Sequence, residues 1–251
     1  MYPDHTFVDY NKAIELDPTY ATPHISRGDL FVDKKLYDQA IQDQNQAIEL
    51  DPKNVFAYTH RGIVYAKKKL YDRAIEDYNK AIELDPKYVM AHIYRGNVFV
   101  KKELYDQAIK GYNKAIELDP RNVIAYTDRG IVFAKKKLYD QAIEDYNKAI
   151  ELDSKYAFAY SARGYLYAYK KLYDQAIKDQ NKAIELGSED SWWIYYNKAC
   201  CYSMMSNSTE ACKWLKTAIE KGYDDWNHIK SDKDLDSIRG SACYKKIMAG
   251  K

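Results

Sequence analysis

The sequence predicts an all-α chain, a solenoid of stacked helix–turn–helix hairpins. The first sign is a recurring decapeptide. DYNKAIELDP ends at Pro18, and its variants end at Pro52, Pro86, Pro120, Ser154 and Ser188, a constant step of 34 residues. A fixed period of this size marks a repeat architecture, because a unit so small cannot bury its own apolar face and must stack on its neighbours. The second sign is the helical spacing of apolar positions inside each unit. The third is punctuation, with lysines in the middle of each unit and Asp-Pro or its remnant at the end.

Residues 55–88 show how one unit folds. Tyr58, Gly62, Tyr65 and Ala66 follow a three-four spacing, and after Lys67, Lys68 and Lys69 it resumes at Leu70, Tyr71, Ala74, Ile75, Tyr78, Ala81, Ile82 and Leu84. Both stretches have the helical period. The lysine break and the stop at Asp85-Pro86 bound two helices of about 13 residues each. Lysines suit the negative end of the first helix dipole, and Asp72 suits the positive end of the second. Gly62 and Ala74 allow the two helices to approach, and Ala81 does the same toward the next hairpin. These small residues recur as Gly28, Gly96, Gly130 and Gly164, as Ala40, Ala108, Ala142 and Ala176, and as Ala47, Ala115, Ala149 and Ala183.

The pattern Tyr58, Gly62, Tyr65, Ala74, Tyr78, Ala81, Pro86 resembles the tetratricopeptide repeat, TPR, at its signature spacings, over most of the chain. The resemblance implies a right-handed superhelix with the first helices on the concave side. One departure is Arg61, with Arg27, Arg95, Arg129 and Arg163, where the family often carries Leu. They read as structural arginines whose stems lie on the neighbouring hairpin; a functional row is the alternative.

Along the chain, residues 1–20 supply a second helix only, a half-repeat. Five full units follow at 21–54, 55–88, 89–122, 123–156 and 157–190. A degenerate sixth spans 192–225 with a one-residue slip, and 226–251 has a different composition. Its Trp226, Ile229, Leu235, Ile238, Tyr244 and Ile247 are expected to cover the last hairpin, as a solenoid end requires. The tail is similar to segments of the form D-x-D-L-x-x-[LI]-R that close some bacterial TPR arrays. Units 55–88 and 123–156 are nearly the same sequence, and 89–122 resembles 21–54, so groove chemistry alternates.

Composition sets few further bounds. The 39 basic and 37 acidic residues leave a net charge of +2, which gives no whole-chain argument for nucleic acid or an anionic membrane. There is no N-terminal signal pattern and no 18-residue apolar run, so the expected location is the cytoplasm. Cys200, Cys201, Cys212 and Cys243 form no C-x-x-C pair, and they are expected as free buried thiols. The five histidines have no metal-ligand spacing. No P-loop, G-x-S-x-G or dinucleotide glycine pattern occurs, so neither enzyme activity, cofactor nor metal is expected.

The family pattern, carried over residue by residue, places a peptide groove on the first helices. Its candidates are Ile25 and Asp29; Phe56, Thr59, Ile63 and Lys67; Met90, Ile93, Asn97 and Lys101; Ile124, Thr127, Ile131 and Lys135; and Phe158, Ser161 and Tyr165. An apolar strip of this kind marks a partner site, although Phe56, Met90, Ile124 and Phe158 have packing between repeats as a competing role. The cationic residues of the family's carboxylate clamp are missing, which argues against the acidic C-terminus of a heat-shock chaperone.

The principal expectation is therefore a non-catalytic scaffold for a peptide or helix of another protein. The alternative is self-association through Phe7, Tyr10 and Ile14 of the half-repeat, giving a weak homodimer. More distant is a nucleic-acid adaptor using the lysines that recur at each hairpin turn.

Overall fold

The computed structural model describes residues 5–187 and 191–249, with side chains from Phe7 onward. The expected link between the fifth and sixth repeats, at 188–190, lies outside the described residues. The helices are α1 His5–Leu16, α2 Ala21–Asp33, α3 Tyr37–Leu50, α4 Val55–Lys67, α5 Tyr71–Leu84, α6 Val89–Lys101, α7 Tyr105–Leu118, α8 Val123–Lys135, α9 Tyr139–Leu152, α10 Ala157–Tyr169, α11 Tyr173–Leu186, α12 Trp192–Met204, α13 Ser208–Glu220, α14 Trp226–Ser231 and α15 Ala242–Met248. A 3-10 turn, Lys233–Ile238, joins the last two. No strand occurs among the described residues. The chain forms two compact units, residues 1–125 and 126–251.

The lysine break is a helix C-cap. Lys69 adopts φ 61°, in the left-handed region. Its N–H donates to the Ala66 carbonyl at 3.0 Å, and the Leu70 N–H donates to the Tyr65 carbonyl at 2.8 Å. These two bonds are those of a Schellman motif. The same turn recurs at Lys35, Glu103, Lys137, Lys171 and Ser206, each with a positive φ. Asp85 shapes the outer turn: its carboxylate accepts from the Lys87 N–H at 2.9 Å. Asn54 and Asn122 cap α4 and α8 by accepting from the N–H groups of Ala57 and Ala125.

The small residues pack where their spacing places them. Ala40, Ala74, Ala108, Ala142 and Ala176 have no exposed surface, nor do Ala47, Ala81, Ala115, Ala149 and Ala183. A methyl group added at Gly62 would lie 2.7 Å from the Tyr78 ring, so only glycine admits that ring.

The arginines are structural, and Arg27, Arg61 and Arg163 each have two partners. Arg61 Nε and Nη2 donate to both oxygens of Asp77 at 2.9 and 2.7 Å, and Nη1 donates to Asn45 of the preceding hairpin at 2.7 Å. Arg27 and Arg163 repeat this arrangement with Asp43 and Asn11 and with Asp179 and Asn147. Arg129 makes the same bidentate pair with Asp145. One hairpin breaks the rule. Gly111 stands where the others have Asp, Arg95 bonds to Asn79 alone, and its buried Nε has no partner. Gly111→Asp is therefore expected to raise the unfolding free energy, measured by denaturant titration, by about 1–2 kcal/mol, from a charged hydrogen-bond pair and a stiffer helix. The new Cβ would stand 3.1 Å from the His92 carbonyl oxygen, so the helices must yield slightly. A lower stability would show that they cannot.

In the sixth hairpin the chemistry changes while the geometry persists. Lys198 takes the arginine place and Trp214 the aspartate place. The Lys198 ammonium lies 3.6 Å from the Trp214 ring centroid and donates to Asn181 at 2.6 Å. A cation–π contact thus replaces the ion pair. Burial lowers the Lys198 pKa from 10.5 to about 8, and the nearby Glu210 carboxylate opposes that shift. A depressed ammonium pKa means that the unfolded chain holds the proton more tightly. The cost of burying the charge is full below about 8 and is relieved as the pH rises toward 10.5. Relative to Lys198→Met, the native chain should gain about 2 kcal/mol across that window, measured by denaturant titration. A constant difference would mean that the ammonium keeps its proton throughout.

The tail covers α12 and α13. Ile229, Leu235 and Ile238 have no exposed surface and join a core with Leu215, Ala218 and Tyr196, while Trp226 and Ile247 are half-buried against it. Here the cysteine expectation is corrected. Cys212 of α13 and Cys243 of α15 form a disulfide, and Cys200 and Cys201 are free and buried. Packing α15 on α13 brings together two cysteines whose separation in sequence gave no pairing signal.

Candidate functional site

The five first helices present their residues in columns at the 34-residue step. The column Ile25, Thr59, Ile93, Thr127, Ser161 turns inward, contrary to expectation. All five are buried. The helical phase brings this column onto the packed side with the small residues. Ile25 packs with Ala21, Ala47 and Ala57. Thr59 satisfies its hydroxyl by donating to the Val55 carbonyl at 2.8 Å, and Ser161 donates to Gln180 at 3.0 Å. These residues support the face and do not line it.

Three columns remain accessible. Phe56 is 54% exposed and meets Tyr88 edge-on, and Ile124 is 49% exposed. Met90 and Phe158 are half-buried, the latter against Trp193 at 5.5 Å. Asp29 accepts from His60 Nδ1 at 2.6 Å, linking α2 to α4. Ile63, Asn97, Ile131 and Tyr165 are half-buried, whereas Lys67, Lys101 and Lys135 are exposed.

In each unit these residues collect at a cleft. In the first unit a cleft of about 260 Å³ has Ile63 and Lys67 on one side and Asn97 and Lys101 on the other, over Tyr78. The Tyr112 hydroxyl donates to Asn97 at 2.5 Å and fixes that amide. In the second unit a cleft of about 580 Å³ takes Ile131 and Lys135 from α8, Tyr165 and Tyr169 from α10 and Asn197 from α12. The tail supplies its remaining wall, including His228 and Asp232. Sequence reasoning missed that wall, because the tail lies outside the repeat and its register against α10 has no periodic signal. Cys200, Asp232 and Asp234 also bring potential metal-ligand atoms within 4.8 Å of one another.

Two other expectations meet different surroundings. The turn lysines are partly neutralised: Lys68, Lys102 and Lys170 pair with Asp38, Asp72 and Asp140, each in the first turn of the preceding hairpin's second helix. Phe7, Tyr10 and Ile14 are half-buried, and Phe7 meets Phe31 at a tilt with ring centroids 5.0 Å apart. The large apolar residues that α1 exposes are Val8 and Leu16. Among the described residues no helix is long and apolar enough to cross a membrane.

Stacked hairpins with small-residue seams and clefts between first helices define an α-solenoid repeat protein. Three family models identify the kind. Tetratricopeptide-repeat models match residues 55–88 and 123–156 and residues 159–188, and a TPR-repeat model matches 28–69 and 96–137. The chain belongs to the tetratricopeptide repeat family. It is similar to the solved structure of MamA, with 31% identity, a TM-score of 0.57 and coverage of 63% of this chain and 93% of that one. It is also similar to YrrB, described as a TPR protein with an unusual peptide-binding site, with 28% identity, a TM-score of 0.54 and coverage of 70% and 91%. A curated relative, a chloroplast protein of Arabidopsis thaliana, is 36% identical over 53 residues, and the match spans 21% of this chain and 16% of the relative. Proteins of this family generally mediate contacts between proteins.

Proposed function

We propose that the chain is a non-catalytic scaffold that holds a peptide or helix of a partner protein on its first-helix face. The observation that carries this reading is the coincidence of sequence column and cleft. The column Ile63, Asn97, Ile131, Tyr165 changes chemistry from repeat to repeat, and it lines a cleft in each unit. Each cleft combines apolar surface with a few polar groups and a lysine at its edge, the mixture that anchors and orients a ligand chain. The peptide-binding site named for YrrB supports the same reading. The acidic partners of the turn lysines weaken the case for a phosphate backbone as ligand.

Ile131→Glu and Ile63→Glu place a carboxylate in each cleft at half-buried positions, leaving the fully buried alanines of the hairpin seams in place. Each is expected to leave helicity unchanged and to weaken partner retention about tenfold or more, read by affinity capture with the folded variants as controls. A partner retained equally by both variants would place the binding surface elsewhere.

A further inference from the structure

The cleft of the second unit carries an unusual charge. Its walls are aromatic: Tyr165 meets Tyr169 edge-on at 5.2 Å, and Trp192 stacks on Tyr223 at 4.6 Å. Behind these rings the tail brings in two carboxylates. The Tyr196 hydroxyl donates to Asp232 at 2.5 Å, and the Asp234 N–H donates to the other Asp232 oxygen at 3.0 Å. Tyr169 donates to Asp234 at 2.7 Å, and Tyr165 donates to its second oxygen. The Cys200 thiol donates to Asp232 at 3.8 Å. Every one of these donors is neutral. Among the described residues neither carboxylate forms an ion pair: Lys135 and His228 line the same cleft without pairing with either, and Arg239 donates to the Asp232 backbone carbonyl at 2.7 Å.

Asp232 lines this aromatic cleft and Asp234 stands behind its Tyr165 and Tyr169, and two such carboxylates without an ion-pair partner favour a cation from outside. The surroundings select its kind. Aromatic faces favour an organic cation, and guanidinium above all, because it stacks flat and offers paired N–H donors to a carboxylate. A volume of about 580 Å³ accommodates a peptide side chain with its backbone and far exceeds a bare ion. We infer that this cleft is a subsite for an arginine side chain of the bound peptide, with the guanidinium against the tyrosine rings and hydrogen-bonded to Asp232. The inference rests on the peptide-scaffold reading and adds the chemistry of one residue of the ligand.

The test uses the full chain and two small probes, N-acetyl-argininamide and its uncharged near-isostere N-acetyl-citrullinamide, titrated by calorimetry at low salt. The arginine probe should bind at least about tenfold more tightly than the citrulline probe. Asp232→Asn and Asp234→Asn should each abolish that preference. Asn at 232 keeps the capping acceptor, so unchanged circular dichroism and melting are expected and separate charge from folding. Equal binding of the two probes, no binding of either, or a preference that survives both variants would overturn the subsite. So would Zn²⁺ binding that is lost in Asp232→Asn when the arginine probe does not bind. An array of random peptides separates this result from the wider reading. Peptides retained without enrichment in arginine would overturn the subsite alone, whereas retention of none would overturn the scaffold reading as well. Arginine-enriched peptides lost in both variants would support both.

Discussion

Asp77→Ala is expected to destabilise the protein by about 3 kcal/mol, measured by denaturant titration. The loss is larger than the net worth of an ion pair, because the substitution leaves Arg61 without its carboxylate. Asp77 is almost fully buried, and the Arg61 side chain is 20% exposed. Some solvent can reach the freed guanidinium, which places the effect at the lower end of the range for a broken buried pair. Tyr58 and Tyr65 lie 5.6 and 5.9 Å from the guanidinium carbon and soften the loss slightly. Asp77→Asn keeps one acceptor and should fall between the two. The natural comparison is Arg95, which folds opposite Gly111 with no aspartate partner. Unchanged stability in Asp77→Ala would mean that Asn45 alone suffices for Arg61, as Asn79 does for Arg95.

The second large effect concerns the tail. Cys243→Ser removes a crosslink whose cysteines are 31 residues apart. By chain entropy such a closure contributes about 3–4 kcal/mol to the region it spans. The loss should localise. Amide exchange should accelerate at Ile229, Leu235 and Ile238, which are fully buried in the native chain. A reductant added to the native protein should reproduce the result. Exchange that is the same in both forms would show that apolar packing alone secures α14, the 3-10 turn and α15.

The fold was legible because its signals are periodic. A 34-residue step, a glycine that admits a tyrosine ring and an alanine at each seam are repeated often enough to be read without a structure. The groove was legible in part. Residues such as Ile63 and Ile131 lie on the accessible side, but Thr59 and Thr127, four residues earlier on the same helices, turn toward the core. Side-chain type did not separate them, since a Thr or Ser can satisfy its hydroxyl inside the protein as Thr59 does on Val55. Arginine was recognised as structural, but its partner was not, although aspartate follows 16 residues later in four hairpins. The disulfide and the acidic wall of the second cleft depend on how a non-repeating tail docks. No period encodes that contact.

The arginine stitch has a consequence for the number of hairpins. Arg27, Arg61 and Arg163 each reach an aspartate in their own hairpin and an asparagine in the helix before, Arg95 keeps the asparagine alone, and these partners recur in the same frame as the arginine itself. Loss of residues 55–88 would bring Asn45 to Arg95 in place of Asn79, and the junction would need no new residue. Gain of a copy would preserve the stitch in the same way. Copy number in this chain can therefore change by whole hairpins without inventing an interface, while the clefts, whose lining differs from copy to copy, are reshuffled each time.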